Sequence, residues 1–304
     1  MTASAGRQAA LLQAMPAVFV LIWSTGFVVA RFGMPHAPPM SFLALRYACS
    51  LLAFGVWIVL ARARWPRDGM QWLHLAVTGV LMHGGYLGGV WIAIKGGLGA
   101  GLVALIVGLQ PLLTALWLSA QQGQGAGHRV THRQWLGLCL GLMGLLLVVG
   151  NKLHLGEASL LGLAFTVLAL ASITVGTLYQ KRWLAACDVR TANSVQLLAA
   201  LVVTLPLALM ESESIDWHPH MVGALAWSVL VLTLGGSSLL YLLIQRGAAT
   251  RVTSLMYLVP PCTAVLAWLL FDEALGLSVL AGLALTAVGV ALVVREPPRP
   301  AATG

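Results

Sequence analysis

Long unbroken apolar runs, separated by short polar punctuation, make up almost the whole of this chain. Each run is close to the roughly 20 residues a helix needs to cross a hydrocarbon core. Ten of them predict membrane-spanning helices at 15–33, 41–60, 72–94, 98–120, 134–150, 158–180, 191–210, 222–244, 252–271 and 277–294. The pair 222–244 and 252–271 is separated only by the turn from Gln245 to Arg251. A β-barrel would show short segments alternating apolar and polar residues. These runs are instead continuously apolar, as in GLCLGLMGLLLVV at 137–149, so the chain reads as an all-α polytopic membrane protein. The apolar stretch beginning near Ala9 continues to Val29 without a small-residue cleavage site, which favours a retained first span over a signal peptide.

Composition agrees: 59% of the 304 residues are apolar and only 9% are charged. The net charge of +8 has a topological meaning. With the N-terminus placed in the cytoplasm, thirteen of the 17 Lys and Arg fall in cytoplasmic segments and three, Arg31, Lys95 and Lys152, on the outer side. Arg46 lies within the second span. The positive-inside rule therefore puts both termini in the cytoplasm of a bacterial-type inner membrane. Most acids, including Glu211, Glu213, Asp216 and Glu273, lean outward. No basic soluble face exists for nucleic acid. Cys49, Cys139, Cys187 and Cys262 have no metal-ligand spacing and read as small packing residues.

The chain also repeats. Pro111 to Ala115 reads PLLTA and Pro260 to Ala264 reads PPCTA, an offset of 149. Gly137 and Gly144 in the fifth span match Gly282 and Gly289 in the tenth, an offset of 145. The match divides the chain into two five-helix repeats, 1–150 and 151–304, the second ending in a short cytoplasmic tail. Five is odd, so the repeats enter the membrane in opposite directions. Inverted repeats are a mark of secondary transporters, with the site between the halves. Pro111 and Pro260, inside corresponding spans, are expected either to kink their helices as packing or to shape a central cavity.

Further motifs carry a family resemblance. They are IWSTGF at 22–27, FLALRY at 42–47, QPLLTA at 110–115, ATRV at 249–252 leading to YLVP at 257–260, and FDE at 271–273. Over nearly its whole length the chain resembles the EamA branch of the drug/metabolite transporter superfamily. Within that branch the chain resembles exporters of amino acids and related metabolites, the YddG type among them. The resemblance implies a transporter working by alternating access, without cofactors, as a monomer or weak homo-oligomer. It also implies a structural or gating role for Arg46 and an acidic residue at Glu273. The first repeat departs from the pattern, with Ser119-Ala120-Gln121 where the acid would be repeated.

Polar and ionisable groups in a bilayer are costly and mark candidate sites. No Asp or Glu lies in the middle of any span, which disfavours a carboxylate proton relay. The candidates for the substrate cavity are Trp23, Thr25, His83, Tyr86, Trp91, Gln110, Tyr241 and Tyr257. Arg46, Pro111, Pro260 and Glu273 are candidates for gating or structure. His83 either titrates in function or is held by a backbone carbonyl, and Arg46 either snorkels to the headgroups or meets a carboxylate. Tyr179, Gln180 and Gln245 read as an interfacial belt. An aromatic, neutral lining suits hydrophobic amino acids or small amphipathic drugs. A channel or structural subunit is the alternative, and a membrane-embedded enzyme another. For an enzyme, no HExxH motif is present, and the run Asp216-Trp217-His218-Pro219-His220 reads as a solvated turn; no metal site is expected.

Overall fold

The computed structural model describes residues 2–121, 132–154, 159–236, 239 and 258–294, and these form ten helices. They are α1 (Thr2–Gly33), α2 (Pro39–Ala61), α3 (Gly69–Lys95), α4 (Ala100–Val107 and Gln110–Gln121) and α5 (His132–His154). The second five are α6 (Leu160–Trp183), α7 (Val189–Leu209), α8 (Pro219–Gly235), α9 (Val259–Phe271) and α10 (Leu277–Val294). By length and composition α2, α3, α6 and α7 can cross a bilayer, and six shorter apolar segments accompany them. Tyr241, Gln245, Tyr257 and the turn from Gln245 to Arg251 lie outside the described residues.

Capping explains several helix starts. Asp68, Ser159 and Asp188 accept the backbone N–H groups of Met70, Gly162 and Arg190, each at 3.0 Å. Such side chains satisfy the orphan donors of a first turn. Pro39 and Pro219 open α2 and α8, where the missing N–H costs nothing. Arg62 (φ 49°) and Asp272 (φ 54°) close α2 and α9 in the left-handed conformation. On the outside of the bundle, Leu52, Val56, Val59 and Leu60 of α2 are exposed, an apolar stripe fit for lipid.

The contacts between helices are those of two repeats related by a two-fold exchange. Helices α5 and α10, α2 and α7, and α4 and α9 pair with their own counterparts. The crossed pairs also come in twos: α1 with α8 and α6 with α3, α1 with α9 and α6 with α4, α2 with α8 and α7 with α3. The α5–α10 seam shows the inversion directly. A Cβ on Gly144 would stand 2.5 Å from the Gly282 carbonyl oxygen, and one on Gly289 would stand 2.7 Å from the Gly141 nitrogen. Numbers rise along one helix as they fall along the other, so counterpart helices run antiparallel. The fold is two inverted five-helix repeats, and the glycines that matched in sequence are where the repeats touch.

Two irregularities are also repeated. Val80–Leu87 in α3 and Ser228–Gly235 in α8 are wound as π-helix. Helix α4 breaks at Gly108 and Leu109, and Pro111 sits in the first turn of its second segment. Pro260 likewise lies in the first turn of the described part of α9. Pro111 thus starts a helical segment instead of kinking a continuous one. Gly108 lets the break in α4 lie against Pro260, since a Cβ there would stand 2.5 Å from the Pro260 ring.

Candidate functional site

Between the two repeats lies a cavity of about 590 Å³. One end is lined by Trp23, Phe27, Arg46, Tyr86 and Trp91, and the other by Gln180, Lys181, the loop Leu184–Cys187 and the first turns of α7. Val90 and Trp91 at the first end are buried, whereas Lys181, Ala185 and Ala186 at the second are exposed. The cavity is therefore a pocket with its mouth at the α6–α7 loop.

Both π-helical segments face this pocket, contributing His83, Tyr86 and Leu87 from α3 and Leu232 and Thr233 from α8. A π-turn frees backbone groups for other partners. Here the Tyr47 hydroxyl donates to the His83 carbonyl at 2.7 Å, and the Thr233 hydroxyl donates to the Ser228 carbonyl at 2.8 Å. The His83 ring lies beside the Gln196 side chain of α7. Arg46 does not snorkel: it is 8% exposed, and its Nε and Nη2 donate to the Thr233 hydroxyl at 3.4 and 3.2 Å. No carboxylate pairs with it among the described residues. The described lining holds two cations, Arg46 and Lys181, and no acid.

The cavity thus gathers Trp23, His83, Tyr86 and Trp91 of the expected residues, and adds Arg46. It does not take the other two that are described. The Thr25 hydroxyl donates to the Ile22 carbonyl and accepts the Trp227 indole N–H at 2.9 Å. The Gln110 amide donates to the Thr177 hydroxyl at 3.1 Å, tying α4 to α6. Tyr241 and Tyr257 lie outside the described residues. Gln180 lines the mouth, while Tyr179 bonds His74 at 2.7 Å. Gln196 and Asn193 were missed, although a polar side chain on an apolar helix was the available signal.

The EamA-like transporter family model matches residues 11–150 and 160–295. The chain belongs to that family. Among its relatives, a "Probable amino-acid metabolite efflux pump" of Escherichia coli strain K12 is 26% identical over 84% of this chain and 85% of its own length. The "Uncharacterized transporter YvbV" of Bacillus subtilis strain 168 is 28% identical over 91% and 89%. A solved crystal structure shares the fold, with a TM-score of 0.63 at 19% identity over 93% of this chain and 97% of that one. The protein is accordingly a multi-pass membrane transporter of the EamA family.

The end of this EamA transporter opposite the mouth is closed by contacts between the repeats. Glu211 accepts the Met40 and Ser41 N–H groups at 2.9 and 2.8 Å and the Ser41 hydroxyl at 2.7 Å. Lys95 pairs with Glu213 at 2.6 Å and also donates to the Met34 carbonyl. His36 and Asp216 bond through both side chains and backbone. Glu273 accepts the Ala100 N–H at 3.0 Å, capping the first segment of α4 from the second repeat. At the mouth, Arg190 grips Asp188 at 2.9 and 2.6 Å, and that hydrogen-bonded pairing holds the Asp188 carboxyl below the usual carboxylate range.

Proposed function

We propose that the protein exports hydrophobic amino acids, aromatic ones above all, or closely similar small carboxylates, by alternating access. The observation that carries this reading is Arg46: a buried guanidinium at the wall of an aromatic cavity, held only by a threonine hydroxyl among the described residues. A substrate carboxylate would complete its hydrogen bonding, since the guanidinium fork matches two carboxylate oxygens. Trp23, Tyr86 and Trp91 would cover an apolar or aromatic side chain.

The excess of basic residues in the loops places the mouth at the cytoplasm, with both termini on that side, so this conformation faces inward. The acid-rich closed end then faces outward. Rocking one repeat against the other would exchange the outer contacts for contacts across the mouth. Residues 1–150 and 151–304 are taken as the two rocking units. No P-loop is present, so energy would come from gradients.

The test is counterflow of labelled hydrophobic amino acids into liposomes containing the purified protein. Saturable exchange that is lost when the carboxylate is converted to its amide supports the reading. Equal exchange of acid and amide would remove Arg46 from substrate binding and point to neutral amphipathic solutes. A flux that neither saturates nor shows trans-stimulation would indicate a channel.

A further inference from the structure

We propose that His36, His218 and His220 form a binding site for a zinc-class divalent transition cation at the outer closure. The bound ion would clamp the α1–α2 loop to the start of α8. Residues 182 positions apart meet here: one ring nitrogen from each histidine falls within 4.8 Å of the others. The His36 and His218 rings stack at 4.1 Å, and the His218 and His220 rings meet edge to face at 4.7 Å.

A tetrahedral zinc ion holds its nitrogens about 3.3 Å from one another at metal–nitrogen distances of about 2.0–2.1 Å. Small side-chain rotations would achieve that contraction, because His218 and His220 are exposed. Asp216 supplies what a bare histidine cluster lacks. Its Oδ2 lies 3.0 Å from His36 Nδ1, which fixes the ring and leaves Nε2 for the metal. A carboxylate behind a ligating imidazole orients it and raises its basicity. The contact opposing the site is the weak cap in which His218 Nδ1 accepts the His220 N–H at 3.2 Å; the ion would displace it or be bound through the other ring nitrogen. Imidazole donors select zinc, copper or nickel over calcium and magnesium.

The consequence follows from position. His36 belongs to the first five helices, and His218 and His220 belong to the second five. An ion shared by them favours the outwardly closed state by whatever affinity it loses when the halves separate. Zinc on the outer side would therefore slow exchange without entering the substrate cavity.

The experiment uses the full-length, tag-free protein in detergent and then in liposomes, with zinc chloride as the probe. One saturable zinc per chain and a melting temperature raised by several degrees are expected, with magnesium giving neither. Replacement of all three histidines by alanine should abolish both effects. Asp216→Asn, which keeps the residue's size, should weaken binding about 10- to 100-fold. Absence of saturable binding, or binding that survives the triple replacement, overturns the proposal. Should the triple variant not fold, undiminished affinity in both Asp216→Asn and His218→Gln overturns it equally. Zinc inhibition of exchange presupposes the transport activity proposed above. Binding and melting do not, so the two readings fail separately.

Discussion

A guanidinium seven positions past the start of α2, bonded to a threonine hydroxyl and facing no carboxylate among the described residues, is expensive to keep. Stability alone would replace it with something apolar. Arg46→Gln should therefore leave the melting temperature unchanged or raise it, while exchange falls. Hydrogen bonds to a charged group are worth about 1.5–3 kcal/mol, so the loss in apparent affinity should be roughly tenfold or more. If both stability and exchange fell together, Arg46 would be structural. Thr233→Val removes the anchor but not the charge, and should raise the KM for exchange by less than Arg46→Gln does. Much of this site was legible in the sequence, because Arg46, His83, Tyr86 and the tryptophans stand out in apolar helices. Thr25 and Gln110 were equally visible but bond to Trp227 and Thr177, partners 202 and 67 positions away. Sequence shows that a polar group must find a partner. It does not show which one.

At the scale of elements, the glycines divide into those at a seam and those that are not. Gly282 is at the seam: an added side chain would meet Val148 and stand 2.6 Å from the Gly144 carbonyl oxygen. Gly55 faces open space, with nothing within 4 Å. Gly282→Val should force α5 and α10 apart and cost about 1–3 kcal/mol, the usual range for overpacking. Gly55→Ala should be neutral or stabilising by up to about 1 kcal/mol, from helix propensity alone. Thermal unfolding of the two variants in detergent checks the contrast, and equal melting temperatures would remove the seam from the account. The same comparison marks the limit of the sequence at this scale. The repeated glycine step was readable, and so was the division into five and five. The π-segments were not read, although Gly84-Gly85 stand within the first and Gly235-Gly236 at the end of the second. Hydrophobic periodicity distinguishes helix from strand but barely distinguishes 3.6 residues per turn from a slightly wider winding.

For the whole molecule, the polarity of the cavity can be tested with a residue already in place. Cys187 lies at the mouth, while Cys49 and Cys262 sit within helices and Cys139 is exposed on α5. An inward-facing transporter should react with a membrane-impermeant maleimide at Cys187 in inside-out vesicles and not in right-side-out ones. Cys187→Ser supplies the background. Burial, and then the neighbouring Asp188 carboxylate, hold the Cys187 thiol above its ordinary range despite the Gln71 bond. The thiolate is the reactive form, so labelling should quicken as pH rises from 7 to 8.5. The outer closure should control this rate from the opposite side of the membrane. Glu211→Gln removes the carboxylate that Met40 and Ser41 bond, which weakens the outwardly closed state and shifts population toward the outward-facing one. In that state the mouth is shut, so Cys187 labelling should slow, although Glu211 and Cys187 lie at opposite ends of α7. An unchanged rate in Glu211→Gln would mean that the outer contacts hold the fold without gating it. Labelling from the outer side would invert the topology that the basic loops imply.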